Sequence, residues 1–522
     1  MNPLSALFDI RTYGARGDGR TLDTPAIQAA IDACAQAGGG TLFFPAGKYV
    51  TGSLFLRSHI TLHLDAGATL LGSEDPTDYP IISSRWEGVE QKTYAPLITG
   101  RDLTHIAVVG RGTIDGRGAH WWQRFQAGTL AYPRPRLIAF ANCTHVLIED
   151  ITAINSPSWT INPVRCENVT VSKVTIVNPA DSPNTDGINP DSCRNVQIAN
   201  CYVSAGDDCI TIKSGVETED KDTRVPCSNI TITNCTMANG HGGVVIGSEM
   251  SGSVRNVVIS NCVFVGTDRG IRFKSRRGRG GIVEDIRVTN IVMTGVLCPI
   301  TMNLYYAPGA WGNTIIADKR PHPVDDGTPH FRRIHLSHIT AREVKVAAAY
   351  VHGLAEMPVE DVSLNDISVS MSAHGEGGYP DMADDMEPMQ NAGFFISNAR
   401  GLRLHHVEVT GQLGPALRLE DSTDIEISAS TTRTPSAGAP VIHLRNVDGG
   451  FVHGCQAGAE TGVFLLVEGE NTKRIVLRCN DLARARQPFY TAADVQLDAI
   501  WADELGFVTE GASGFGGKEQ HA

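Results

Sequence analysis

From about residue 145 onward, apolar residues recur at alternate positions in short runs, each opened and closed by a turn-forming residue. The clearest runs are His145-Val-Leu-Ile-Glu-Asp-Ile, Asn168-Val-Thr-Val-Ser-Lys-Val, Asn195-Val-Gln-Ile-Ala-Asn-Cys, Asn229-Ile-Thr-Ile-Thr-Asn-Cys, Asn256-Val-Val-Ile-Ser-Asn-Cys and Asp285-Ile-Arg-Val-Thr-Asn-Ile. A period of two reads as a strand with one face buried. The runs start 23, 27, 34, 27 and 29 residues apart, and the long step holds a polar insert, Glu217 to Pro226, read as a loop between rungs. Weaker copies follow at Ile334-His-Leu, Val362-Ser-Leu, Leu402-Arg-Leu, Ile425-Glu-Ile and Ile475-Val-Leu. One such strand cannot bury its apolar side alone. Coils of this length stack into a parallel β-helix whose interior is filled by like residues, so the fold class expected is all-β.

One helix is expected, over about residues 24–37. Thr24 caps it, Pro25 suits its first turn, Ile27, Ile31 and Cys34 share a face, and Gly38-Gly39-Gly40 ends it. It would cap the N-terminal end of the stack. Residues 306–330 and 371–393 read as long loops. The length of 522 residues would ordinarily suggest several domains. A solenoid shares one continuous core, so a single domain is predicted over residues 1–505, with a Gly-rich, mobile tail over 506–522.

Charge and cysteines then narrow the partners. A formal net charge of −13 argues against nucleic acid, whose binding rests on surplus Lys and Arg. No run of about 18 apolar residues is present, so no membrane span is expected. The opening Met1-Asn-Pro-Leu-Ser-Ala-Leu-Phe-Asp has neither a basic nor an apolar leader region, which predicts a cytoplasmic location. Four of the 12 Cys follow Asn, at Cys143, Cys201, Cys235 and Cys262. That recurrence predicts small buried residues at one repeated rung position instead of a disulfide framework.

The candidate chemistry falls on successive rungs. Asn184-Thr185-Asp186, Gly206-Asp207-Asp208, Gly240-His241-Gly242 and Arg272-Phe273-Lys274 follow one another at about rung spacing once the insert is allowed for. Arg272 and Lys274, two apart on a strand, share a face. Taken singly, each segment reads as a turn, a tight bend or a solvated basic loop. Together they line up three carboxylates, an imidazole and two cations, the inventory that glycosidic hydrolysis needs. Crowded carboxylates raise one another's pKa, and the cations suit a substrate that carries carboxylates.

These four segments resemble the NTD, GDD, GHG and RxK motifs of glycoside hydrolase family 28, the polygalacturonases. The likeness runs from Phe8-Asp-Ile-Arg-Thr-Tyr-Gly-Ala-Arg-Gly-Asp-Gly to about residue 350, and that opening is shared with other pectin-lyase-like enzymes. The resemblance implies a right-handed parallel β-helix and an inverting hydrolase of galacturonan that needs no metal or other cofactor. Asp207 would be the general acid, and Asp186 and Asp208 would activate water. His241 would tune Asp207, and Arg272 and Lys274 would hold the galacturonate carboxylate. It also implies a Tyr beyond the Lys, either Tyr305 or Tyr306, with Tyr305 the first choice. Asn184 and Trp86 are further candidates for the substrate cleft, and Trp121-Trp122 is a weaker one. The loop material suggests release of single units from the non-reducing end of an oligogalacturonide. Three alternatives remain open: an endo-acting, rhamnogalacturonan or xylogalacturonan hydrolase; a calcium-dependent pectate lyase; and a non-catalytic carbohydrate-binding β-helix.

Overall fold

The computed structural model describes residues 6–375, 377–432, 436–496 and 498–502. The predicted tail and its boundary near residue 505 lie outside them. The chain winds into stacked coils, and their strands pair in parallel from coil to coil as a 25-stranded sheet and a second wall of four and ten strands.

Asparagine sets the corners. His145, Asn168, Asn195, Asn229, Asn256 and Asp285 all hold φ between +57 and +59°, and Asn200, Asn234, Asn261 and Asn290 lie between +55 and +59°. Asn tolerates this left-handed region better than most L-residues. Stacked corners also bond to each other: Asn195 Nδ2 donates to Asn168 Oδ1 at 3.1 Å, Asn229 to Asn195 at 3.0 Å and Asn256 to Asn229 at 3.0 Å. Between the corners the strands are in register, with Val146, Val169, Val196, Ile230, Val257 and Ile286 stacked inward and buried. The alternation read from the sequence is this inward column.

Two expectations are corrected. The cysteines form two columns, because Cys143 precedes a corner strand whereas Cys201 and Cys235 follow one and Cys262 lies late in the longer strand Val254–Val265. In the first column the N–H of Cys143 lies 3.4 Å from Cys166 Sγ, that of Cys166 3.4 Å from Cys193 Sγ, and that of Cys193 3.3 Å from Cys227 Sγ. All twelve cysteines are free and eleven are buried. The helix spans Thr24–Gln36 and buries Ile27, Ala30, Ile31 and Cys34, but Thr24 does not cap it. The Thr24 hydroxyl accepts the Gly52 N–H at 2.8 Å, and the carboxylate of the preceding Asp23 takes the N–H groups of Arg16 and Gly17. Both side chains tie the helix to the first coil.

The second wall forms the floor of the functional face. Strands Ile98–Arg101, Ile138–Ala141 and Ile161–Val164 lead, through single bridges at Ile188 and Asp191, to Ile210–Ile212, Gly242–Gly247, Arg269–Lys274 and Cys298–Asn303. An antiparallel hairpin, Ile81–Trp86 with Val89–Tyr94, rises beside this floor.

Candidate active site

Asp186, Asp207 and Asp208 come together as the rung spacing predicts: each offers a carboxylate oxygen, and these oxygens lie within 4.8 Å of one another. The Gly187 N–H donates to the Asp208 carbonyl at 3.0 Å, which fixes the two rungs one above the other. Gly206 precedes the pair for reasons of space, since a Cβ there would come within 2.3 Å of the Ser182 carbonyl. The Asp186 carboxylate accepts from Asn189 Nδ2 at 3.0 Å and from the Thr211 hydroxyl at 3.4 Å. Burial, then the charges of Asp207 and Asp208, push its pKa well above the ordinary carboxylate range, against the pull of Lys213.

Asp207 has the opposite bias. Burial works against its charge, but His241, Lys274 and the Asp208 N–H at 2.8 Å outweigh burial and hold its pKa at about 2. His241 Nδ1 lies 3.3 Å from Asp207 Oδ1, and that hydrogen bond raises the pKa of the half-exposed imidazole. Mutual crowding therefore does not protonate Asp207, as the sequence suggested. Asp186 is the carboxyl biased toward keeping a proton, and the Asp207–His241 contact biases its proton toward the imidazole. The acidic cluster is close enough to grip a cation, but ammonium groups already serve it: Lys274 Nζ lies 2.7 Å from Asp208 Oδ2. Lys213, buried nearby, pairs with Glu249 at 2.7 Å.

Arg272 and Lys274 do share the outward face, with Phe273 buried in the core between them. Neither cation is without a partner. Arg272 Nη1 is 3.4 Å from Asp208 Oδ1, and its Nη2 is 2.6 Å from Asp381 Oδ1. Asp381 sits in the long loop after Met371, 109 residues further along the chain. Arg269 holds that loop in place by donating to the Pro380 and Tyr379 carbonyls, each at 3.0 Å. The tyrosine beside the cations is Tyr306, whose ring centroid is 5.2 Å from Lys274 Nζ and 5.5 Å from the Arg272 guanidinium carbon. Tyr305 is buried on the other side, 4.4 Å from the His352 ring and beneath Lys319 at 3.8 Å. The first choice of Tyr305 is corrected accordingly. Adjacent residues leaving a strand point to opposite faces, and spacing alone could not say which pointed out.

Three further candidates are engaged in packing or hydrogen bonds within the protein. Trp86 is 8% exposed, and one face of its ring lies on Trp159 at 4.9 Å and 15°. Asn184 sits at φ +52° and accepts from buried Arg134 at 2.6 Å. Trp121 is packed between Tyr79 and Tyr94 on a short helix, Ala119–Gln126, that the sequence reading did not anticipate. The run after Lys274 is not a solvated basic loop either. Arg277 is buried against Glu356 at 2.6 Å, and Arg279 pairs with Glu217 of the insert. That insert in turn reaches the hairpin, where buried Arg85 joins Glu219 and Asp191. At the hairpin tip Gly88 packs on Val216, where a Cβ would approach to 2.6 Å. Asp381, Lys213 and Glu249 were not foreseen: Asp381 acts through a contact with a distant coil, and Lys213 and Glu249 pair between adjacent coils outside the repeating motifs.

The pattern that defines "Glycosyl hydrolases family 28" matches residues 34–379. The chain belongs to glycosyl hydrolases family 28. Within this family it is 36% identical over 371 residues to a probable polygalacturonase of Vitis vinifera, which covers 69% of this chain and 74% of the relative. It is 31% identical to an endo-polygalacturonase of Pectobacterium carotovorum subsp. carotovorum, over 54% of this chain and 72% of that one. Among solved structures it resembles a hyperthermoactive exopolygalacturonase from Thermotoga maritima, with a TM-score of 0.63 and 31% identity, covering 70% of this chain and 87% of that chain. The right-handed, pectin-lyase-like β-helix is thus the family's fold, and the protein is a glycoside hydrolase.

Proposed function

We propose that the protein hydrolyses α-1,4-galacturonosidic bonds in oligo- and polygalacturonate, releasing single units from the non-reducing end. One observation carries the reading: the Asp207–His241 pair stands beside two further carboxylates, with buried Arg272 and Lys274 backed by Tyr306 on the next coils. The pair would deliver its proton through Asp207 to the leaving oxygen, while Asp208 and Asp186 hold the attacking water. The cations would take the uronate carboxylate in place of part of their present carboxylate contacts. Chain-end cleavage is supported by the hairpin and insert, which the Arg85–Glu219 pair joins to each other and Arg85–Asp191 fixes to the floor. The Pectobacterium relative keeps internal cleavage as the competing reading.

Viscosity and reducing ends followed together on polygalacturonate separate the two modes. Early loss of viscosity with few new ends would overturn chain-end release. Reducing ends should also form in excess EDTA without ultraviolet absorbance, whereas calcium-dependent absorbance would mean elimination. The stereochemical course needs its own measurement. The carboxylate oxygens lie closer than the roughly 6.5–9.5 Å usual for two-carboxylate inverting enzymes. Such crowding would equally suit a nucleophilic carboxylate, so inversion rests on the family resemblance. The anomer seen first by NMR decides it. We further propose a cytoplasmic location, in keeping with eleven buried, unpaired cysteines. Recovery of the activity outside the cell would overturn that.

A further inference from the structure

The corner that holds Asn200, Asn234, Asn261 and Asn290 changes its side chains further along the stack. In the earlier coils it is a ladder of amides: Asn234 Nδ2 donates to Asn200 Oδ1 at 3.3 Å, and Asn290 Nδ2 to Asn261 Oδ1 at 2.7 Å. In the coils that follow, the same corner carries His338, Asp366 and His406, at φ +52, +55 and +51°. The register keeps them in one column. Thr289, Ser337, Asn365 and His405 are paired just before the corner, and Ile291, Ile339, Ile367 and Val407 just after it. Left-handed backbone accepts Asn, Asp and His alike, so it does not dictate this change.

The three side chains converge. His338 Nδ1 lies 2.8 Å from Asp366 Oδ2, and His406 Nδ1 lies 3.0 Å from Asp366 Oδ1. One carboxylate thus meets an imidazole at each of its oxygens, one from the coil before and one from the coil after. Among the described residues no Lys or Arg pairs with it. The side chains are 59, 48 and 60% exposed, so an ion reaches them from solvent without opening the fold. Two imidazole nitrogens and a carboxylate suit a borderline divalent ion such as Zn²⁺ or Cu²⁺, and they suit Mg²⁺ poorly, which asks for oxygen ligands. Ligand atoms at zinc distance on a tetrahedral ion stand about 3.3 Å apart. The separations of 2.8 and 3.0 Å therefore need to open only slightly for a cation to replace the bridging protons. Because the imidazoles meet different oxygens, Asp366 would chelate with both.

We propose that His338, Asp366 and His406 form a binding site for one divalent transition-metal ion, which clips three successive coils together. This corner belongs to the 25-stranded sheet, whereas the floor beneath the Asp cluster is the second wall. The site is independent of the reaction proposed above. Equilibrium dialysis of Zn²⁺ against the full chain, first stripped with EDTA, tests it. Asp366→Asn is the decisive variant, because asparagine already occupies this corner in earlier coils and keeps the backbone while losing charge and chelation. It should bind one equivalent of Zn²⁺ fewer than wild type, or bind that equivalent at least ~10–100-fold more weakly, the loss usual when even an outer-shell partner is removed. His406→Gln should lose the same equivalent, and excess Mg²⁺ should not displace it. Equal Zn²⁺ binding by wild type and both variants would overturn the proposal, as would displacement by Mg²⁺. His335→Gln removes a neighbouring imidazole that bonds the Ser363 hydroxyl at 2.7 Å, away from the corner, and should bind Zn²⁺ as wild type does. A loss there equal to that of Asp366→Asn would mean diffuse binding to surface histidines, and the proposal would fall.

Discussion

Arg272 and Arg418 stand in one column of the same sheet, linked through Thr301, Tyr350 and Phe395, and Lys274 and Glu420 stand in the next through Asn303, His352 and Ser397. The two places use the same backbone and the same outward direction, yet their charges behave differently. Arg272 is 1% exposed and locked between Asp208 and Asp381, whereas Arg418 is 46% exposed and pairs with its neighbour Glu420 at 2.7 Å. The strands do not make this difference. Loops from elsewhere do, by roofing the middle coils and leaving the later ones in water. A β-helix floor is therefore a neutral grid, and burial by loops turns a charge on it from surface decoration into part of a reactive cluster.

The largest expected effect tests whether the roofed region does chemistry at all. Asp207→Asn fills the same space but cannot carry the acidic proton, so kcat should fall roughly a hundredfold to ten-thousandfold in a chain that still folds and unfolds cooperatively. Retention of a tenth or more of the activity would assign the acid elsewhere. Next comes Arg272→Ala, which leaves buried Asp208 and Asp381 short of their cation. Unfolding in denaturant should show a loss of about 3–5 kcal/mol, and a surface-like loss would erase the contrast.

Asp186→Asn sharpens the contrast through pH. A carboxyl whose folded pKa is raised holds its proton longer in the native state, so stability falls as pH rises through the window between its unfolded and folded values. The amide removes that penalty. The variant should therefore melt higher than wild type at neutral pH, and the gain should shrink as pH falls below about 4, where the unfolded chain also takes up the proton. A gain that is constant with pH would place the protonated carboxyl on another residue. Arg418→Ala is the smallest change: about 0–1 kcal/mol in the same denaturant assay, since its pair is largely solvated.

What the sequence made legible were features that repeat from coil to coil. The Asn corners announce themselves because left-handed backbone selects Asn and the selection recurs at every coil. The stacking of Asp186, Asp208, His241 and Arg272 follows from the same count of residues per turn. Single events escaped it. Asp381 reaches Arg272 from a loop 109 residues away, Tyr306 and Tyr305 differ by one step of backbone, and Trp86 looks like a free ring until Trp159 covers it. The two cysteine columns were confused because an Asn precedes the Cys at either end of a corner strand.

Stacked coils lean chiefly on the coil before and the coil after, so a solenoid can fray from its ends. The long loops alter that order of loss. Asp381 ties one coil to another more than a hundred residues earlier, Glu219 clasps the hairpin, and Arg277 clasps Glu356. Such stitches make the middle coils let go together, while among the described residues beyond about 417 the ties run only to neighbouring coils, which can peel away one at a time. Under a limiting protease or slow amide exchange, the C-terminal coils should be lost first, leaving a shortened but intact stack of middle coils that resists further trimming.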